Sequence, residues 1–216
     1  EVIYLRFQEF IVLKDAFNQV VTSPLIENYE VEVEKYKIVK FSLDPEKPLR
    51  ENATYTINFG TAIQDFTEGN PTDFRFVFST GPYLDSLTVR GNVVDAVSKE
   101  PVPEAVVMLY DNLEDSVVYK ERPFYFARTD KEGNFRIDNI KEDTFKLFVI
   151  KEEGVADYLY NQSSEGIGYL DEPFYLSDTT QPTLQLTFFQ PELPLELLDS
   201  RLKSFGKVDL IYNRPP

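Results

Sequence analysis

Apolar and polar residues alternate with a period of two over most of the chain, the pattern of strands that bury one face. Ile3, Leu5 and Phe7 share a face, as do Tyr55, Ile57 and Phe59, and again Phe74, Phe76 and Phe78, with Thr54, Thr56, Asn58 and Arg75 opposite. Between them Glu30 to Glu34 alternates acid and valine, and Ile38 to Leu43 follows as another strand. Half-buried antiparallel strands of this kind form a sheet stacked on a second sheet. The segment Ser79 to Pro82 ends this series, because Gly and Pro together break a strand. A second series then begins. Leu87, Val89 and Val93 alternate, Val106 to Tyr110 is a continuous apolar run, and Phe124 to Arg128 leads into a turn at Thr129 to Asn134. Phe135 and Ile137 then alternate with Arg136 and Asp138, and Phe145, Leu147 and Val149 form a further face. The pattern predicts an all-β chain of two tandem antiparallel β-sandwiches, over residues 1–81 and 82–190.

Two segments resist the strand reading. Asp157 to Gly168 reads as a long polar loop, and Leu195, Leu198, Leu202 and Phe205 fall at a helix-like spacing, against which stand Leu197 and two nearby prolines. Val208 to Asn213 resembles Val2 to Gln8 in length and polarity. Residues 191–216 are therefore either a linker and the opening strand of a truncated third module, or a tail with a chance similarity. The chain opens directly on a strand pattern at Val2, so further residues are expected upstream, where a targeting segment would lie.

Composition agrees with strands and restricts the chemistry. Fourteen prolines, thirteen tyrosines and eighteen phenylalanines among 216 residues favour strands and turns. The chain has no histidine and no cysteine, which excludes His general bases, Ser-His-Asp triads, thiol nucleophiles, zinc clusters and disulfides. With 37 acidic against 22 basic residues the net charge is −15, and no Lys/Arg stripe could track a phosphate backbone, so nucleic acid is not an expected partner. Nor does any run approach the roughly twenty apolar residues of a membrane helix. The same acidity keeps a surface soluble and discourages edge-to-edge strand pairing, a task shared by Lys35, Lys37 and Lys40 on an expected edge.

Particular stretches carry a family resemblance. On Leu5 to Ile11, Asn52 to Phe59, Ile63 to Asp65, Glu68 to Asn70 and Phe76 to Thr80, residues 1–81 resemble a bacterial Ig-like module of the S-layer (SbsA) type, whose usual first strand would lie upstream. On Gly91 to Asp95, Pro101, Val107 to Tyr110, Thr129, Asp130, Gly133 to Phe135 and Phe145 to Phe148, residues 82–190 resemble a carboxypeptidase-regulatory-like, transthyretin-like β-sandwich. The tandem is similar to Ig-like-domain envelope lipoproteins of Gram-negative bacteria. That resemblance implies an exported, non-catalytic protein of the periplasm or outer-membrane surface, lipid-anchored through an upstream segment. A fold resemblance assigns no ligand by itself.

Three acidic groups have the composition of a calcium site, since hard cations take closely spaced Asp, Asn and Glu oxygens. They are Asp65 with Glu68, Asn70 and Asp73; Asp130 with Glu132 and Asn134; and Glu152 and Glu153 with Asp157 and Asn161. None has the DxDxDG spacing, and the first two also read as turn formers. No cofactor is expected unless calcium binds there. A carboxylate pair for glycoside hydrolysis would need two acids held across a cleft, whereas acids such as Glu30, Glu32 and Glu34 lie on the polar face of alternating strands. Aromatic density in the second sandwich invites glycan stacking, and Tyr158 and Tyr160, in the polar loop, are the rings that packing explains least. The expected function is a non-catalytic envelope spacer or docking element whose partners are other envelope proteins or glycans. The alternative is a glycan- or protein-recognition module using loops of the second sandwich.

Overall fold

The computed structural model describes residues 1–152, 156–162, 165–191 and 195–212. Glu153 of the third acidic group, and the tail from Asn213 through Pro216, lie outside the described residues. Strands make up nearly all of the regular structure. The first eight are β1 (Val2–Arg6), β2 (Ile11–Leu13), β3 (Val21–Ser23), β4 (Tyr29–Glu34), β5 (Ile38–Leu43), β6 (Thr54–Asn58), β7 (Ile63–Asp65) and β8 (Arg75–Ser79). One helical turn, α1 (Ala16–Gln19), precedes β3. Antiparallel sheets in the orders β1-β5-β4 and β3-β6-β8, with the pair β2-β7, form a first sandwich. Its core comes from the period-two faces, with Leu5, Val39, Phe41, Tyr55, Ile57 and Phe59 all buried. Tyr29 stacks on Phe41 at 4.7 Å and Tyr55 on Phe78 at 5.5 Å between ring centres. Lys35 and Lys37 lie in the β4–β5 turn, but Lys40 lies on the central strand β5, not on an edge, and pairs with Glu32 at 3.3 Å. The alternation marks which face Lys40 occupies and carries no information about which strand lies outermost.

The second sandwich is a single sheet curled on itself. Its strands are β9 (Leu87–Asp95), β10 (Val106–Tyr110), β11 (Tyr125–Arg128), β12 (Asn134–Ile140), β13 (Asp143–Ile150), β14 (Ile167–Tyr169), β15 (Phe174–Leu176) and β16 (Thr183–Phe189), in the order β11-β10-β13-β14-β16-β9-β12 with β15 also on β13. Strands β11 and β12 sit at opposite ends of that order yet follow one another in sequence, so the turn between them draws the two ends together. All pairings are antiparallel except β16 on β9.

Strands β10 and β13 are buried on both faces, which explains the continuous apolar runs Val106 to Tyr110 and Leu147 to Ile150. Val107, Leu109, Phe145, Leu147 and Val149 face the main core, whereas Val106, Met108, Tyr110, Phe148 and Ile150 form an outer cluster. That outer face is covered by a 3-10 turn at Asp115–Tyr119, by Tyr160 and Ile167, and by Val21 and Leu25 of the first sandwich. The expected polar loop therefore contains buried Tyr160, Glu165 and Ile167, and its end is strand β14. The composition of the segment is polar, but its few apolar side chains are the ones the outer face requires.

The segment with helix-like spacing is also a strand. β17 (Leu197–Ser204) and β18 (Lys207–Tyr212) form a hairpin, with Leu202 opposite Val208, Ser200 opposite Leu210 and Arg201 opposite Asp209. A separation of four, as between Leu198 and Leu202, satisfies both a helix and a strand face, and the turn at Gly206, with φ +78°, decides for the hairpin. Leu198, Leu202, Val208 and Leu210 are exposed.

The parallel pair leaves no room for a side chain at Gly91, where an added Cβ would meet the Leu184 carbonyl oxygen at 2.1 Å. Gly91→Ala is expected to destabilise the chain by about 2 kcal/mol or more, because the obstacle is backbone. Gly69→Ala, at φ +73° with nothing within 4 Å of the Cβ position, carries conformational strain only and is expected to cost about 1 kcal/mol. Urea unfolding of the two variants checks both values.

Candidate functional site

The two sandwiches meet along β3, β6 and the turns of the first and β11, β12 and the turns of the second. Asp85, in the connecting segment, is held against β6: its side chain accepts from buried Thr54 Oγ1 at 2.8 Å while its own N–H donates back to that oxygen at 2.7 Å. Asn139, at φ +59° in a bulge of β12, donates to the Asp85 carbonyl at 3.0 Å and accepts from Thr56 Oγ1 at 3.3 Å. Arg50 reaches across to Asp111 at 2.9 Å with its guanidinium 4.4 Å from the Phe124 ring centre, and Lys141 approaches the same ring at 5.3 Å. Glu27 bridges Lys47 at 3.1 Å and Arg122 of the second sandwich at 3.2 Å. The Lys47 hydrogen bond, with Arg122 beside it, holds the Glu27 carboxyl below the ordinary glutamate value despite some desolvation.

Clefts open along this junction. One, about 570 Å³, is lined by Pro24, Leu25, Lys47, Arg50, Arg122 and Phe124, and the cations Lys47, Arg50 and Arg122 already have acidic partners. A second, about 300 Å³, is lined by Ser23, Thr56, Asn58, Arg75, Arg136 and Asp138. It shares the wall of Val21, Phe126 and Arg128 with a third of about 380 Å³, which adds Phe17, Tyr29 and Tyr158. Among the described residues Asp138 is the only acid lining these two joined clefts. It pairs with Arg136 at 2.8 Å and lies 3.9 Å from Arg75. Among the described residues no acidic side chain pairs with Arg128, whose side chain is exposed.

The residues singled out from sequence lie apart from one another. Asp65 Oδ1 accepts from the N–H groups of Thr67 and Glu68, and Asn70 donates to Glu68 at 2.8 Å. Asp73 is exposed. Asp130 Oδ1 likewise accepts from Glu132 N at 3.0 Å and Asn134 N at 2.8 Å. In both turns the carboxylate is engaged by its own backbone. Glu152 accepts from Tyr158 N at 2.7 Å, Asp157 from Leu159 N at 2.8 Å, and Asn161 N donates to Glu165 at 2.8 Å. Burial raises the Glu152 pKa, and the charges of Glu165 and Asp157 add to the rise. Among the described residues no three acidic side chains converge as a metal-binding group. Packing does account for Tyr160, which is 6% exposed in the outer cluster. Tyr158 is half-buried, 4.7 Å from the Phe126 ring, and borders the third cleft. Arg75, Arg128, Arg136 and Phe17 gave no local signal, since each reads as an ordinary polar-face or loop residue.

The family model of the bacterial Ig-like domain matches residues 1–80, which supports the Ig-like reading of the first sandwich. No curated protein matches the chain. Among solved structures, BcpA, the major pilin subunit of Bacillus cereus, is 14% identical with a TM-score of 0.33, over 88% of this chain and 59% of that one. The group B streptococcus pilus 2b backbone protein is 12% identical with a TM-score of 0.26, over 86% of this chain and 84% of that one. Scores this low carry no argument about function. Among the described residues, no helix is long and apolar enough to cross a membrane.

Two expectations follow from the acidic loops. Adding calcium chloride is expected to leave the thermal midpoint unchanged, because the Asp65 and Asp130 carboxylates already serve their turns; a calcium-dependent rise would locate a site in one of these loops. Glu152→Gln keeps an acceptor for Tyr158 N and removes a charge that its neighbours oppose, so stability at about pH 7 is expected to equal or exceed that of the parent. A carboxyl with a raised folded pKa penalises the fold above that pKa and stops doing so as pH falls through it, so the Gln advantage shrinks on acidification. Glu152→Ala leaves the amide unpaired and is expected to cost about 1–3 kcal/mol. Urea midpoints at about pH 7 and about pH 5 separate the cases.

Proposed function

We propose that this chain is a non-catalytic spacer of the bacterial cell envelope, which holds attached components at a set distance and orientation. In this reading residues 1–81 and 82–190 are its two modules, and 191–216 leads into a third. The protein is exported, and an upstream lipid anchor places it in the periplasm or on the outer-membrane surface. The observation that carries the proposal is the junction. A spacer transmits orientation only when its units are fixed to one another, and here Val21 and Leu25 of one sandwich complete the outer cluster of the other. Around that contact run the Arg50–Asp111 and Glu27–Arg122 bridges and the Asp85–Thr54–Asn139 hydrogen bonds. Interfaces between domains of one chain are ordinarily more polar and permit motion. The hairpin of β17 and β18 leaves its apolar residues bare, as a hairpin awaiting a further sheet would.

Residual dipolar couplings from both sandwiches are expected to fit one alignment tensor. Two tensors of unequal magnitude would refute a fixed junction and with it the spacer. Arg50→Ala removes the Asp111 bond and the Phe124 stack together and is expected to cost about 1–2 kcal/mol and to loosen the fit. Because the Glu27 pKa is lowered in the folded chain, its contribution is complete above the ordinary value of 4.5 and is lost as pH falls below it, so the fit worsens on acidification.

A further inference from the structure

We infer that the joined clefts between the sandwiches, walled by Arg75, Arg128 and Arg136 at one end and by Phe17 and Tyr158 at the other, bind an acidic oligosaccharide of the uronate class. The charge balance is the first argument. Over the whole chain the charge is −15, which repels anions, so capture of one requires a local reversal of sign. The joined clefts supply it, with three arginines against Asp138 alone among the described residues. Arg128 is exposed and has no acidic partner among the described residues, which leaves its planar fork free for a carboxylate. Next to it, past the shared wall of Val21 and Phe126, stands Phe17, 90% exposed on the single helical turn α1. A bare ring that fills no core is a flat apolar platform, the surface on which the C–H face of a sugar stacks.

The walls also favour a sugar over an acidic peptide. The outermost strands β3 and β11 are drawn together, with Phe126 N donating to Ser23 Oγ at 3.4 Å. Beside them the cleft offers the neutral side chains of Ser23, Thr56 and Asn58, which suit hydroxyl groups. This site draws on both sandwiches and so rests on the same fixed junction as the spacer reading, but not on the spacer role: dipolar couplings test the junction, and a rigid chain that binds no uronate would leave the spacer standing and sink this site alone.

Isothermal titration of the full chain with trigalacturonate tests the proposal. Binding is expected, with the methyl-esterified trisaccharide, sodium sulfate and a pentaglutamate peptide each at least about tenfold weaker, because none offers carboxylates on a stackable sugar. Arg128→Gln is expected to weaken trigalacturonate about tenfold and Phe17→Ala about threefold or more. Both side chains are exposed, so the thermal midpoint should stay that of the parent and show that folding is intact. The proposal is overturned if trigalacturonate does not bind, if both variants bind as the parent does, or if the ester binds equally well. It is equally overturned if sulfate or pentaglutamate matches trigalacturonate, which would make the cleft a simple anion or acidic-peptide site.

Discussion

Strands β10 and β13 carry apolar side chains on both faces, and the remainder of the structure answers to that. One face is satisfied by the main core of the second sandwich. The other would leave Val106, Met108, Tyr110, Phe148 and Ile150 in water, at roughly 1.5–3 kcal/mol for each large side chain. The chain covers it in two ways: by folding the 3-10 turn and the Tyr160 segment back over it, and by seating Val21 and Leu25 of the first sandwich at its edge. The junction between the sandwiches is thus a consequence of a sheet face that needed a lid.

Polar groups then fix the angle at which the first sandwich sits. Apolar contact is nearly indifferent to direction, whereas the reciprocal Asp85–Thr54 bonds and the Asn139 bulge permit one arrangement. The charged contacts at the rim are largely exposed and add little energy singly. Their sign is informative nonetheless. In a chain with fifteen net negative charges, Lys47, Arg50, Arg75, Arg122, Arg128 and Arg136 gather where the two sandwiches meet. Most are matched with an acid there, and among the described residues Arg128 is not, so the same gathering that joins the sandwiches leaves a cleft of opposite sign to the rest of the surface.

The all-β class, the two series of strands and most core positions were legible in the chain, since burial of one face imposes a period of two that needs no partner to be seen. Leu5, Tyr55, Ile57, Phe135, Ile137 and Leu147 lie in the core as their alternation requires. The pattern left a segment open where one spacing fits two structures, as at Leu198 and Leu202, and it misled where a polar segment lends a few side chains to a distant face, as with Tyr160. The acidic loops illustrate a related limit. A run such as Asp130 to Asn134 has the composition both of a cation site and of a turn, and only the direction of its carboxylate, toward its own backbone, separates them.

What the sequence determined by itself was therefore local and periodic: which residues form strands, which side of each strand is apolar, where turns fall, and which chemistries are absent with histidine and cysteine. The tertiary structure alone decided which strands became neighbours, that β16 runs parallel to β9, that Lys40 lies centrally, and that Arg75, Arg128, Arg136 and Phe17 line the walls of joined clefts. Those four come from four different elements, and no spacing along the chain encodes a meeting between them. Such a meeting follows from the burial of a face that any one strand shares with several others, and it exists only when the whole chain has closed.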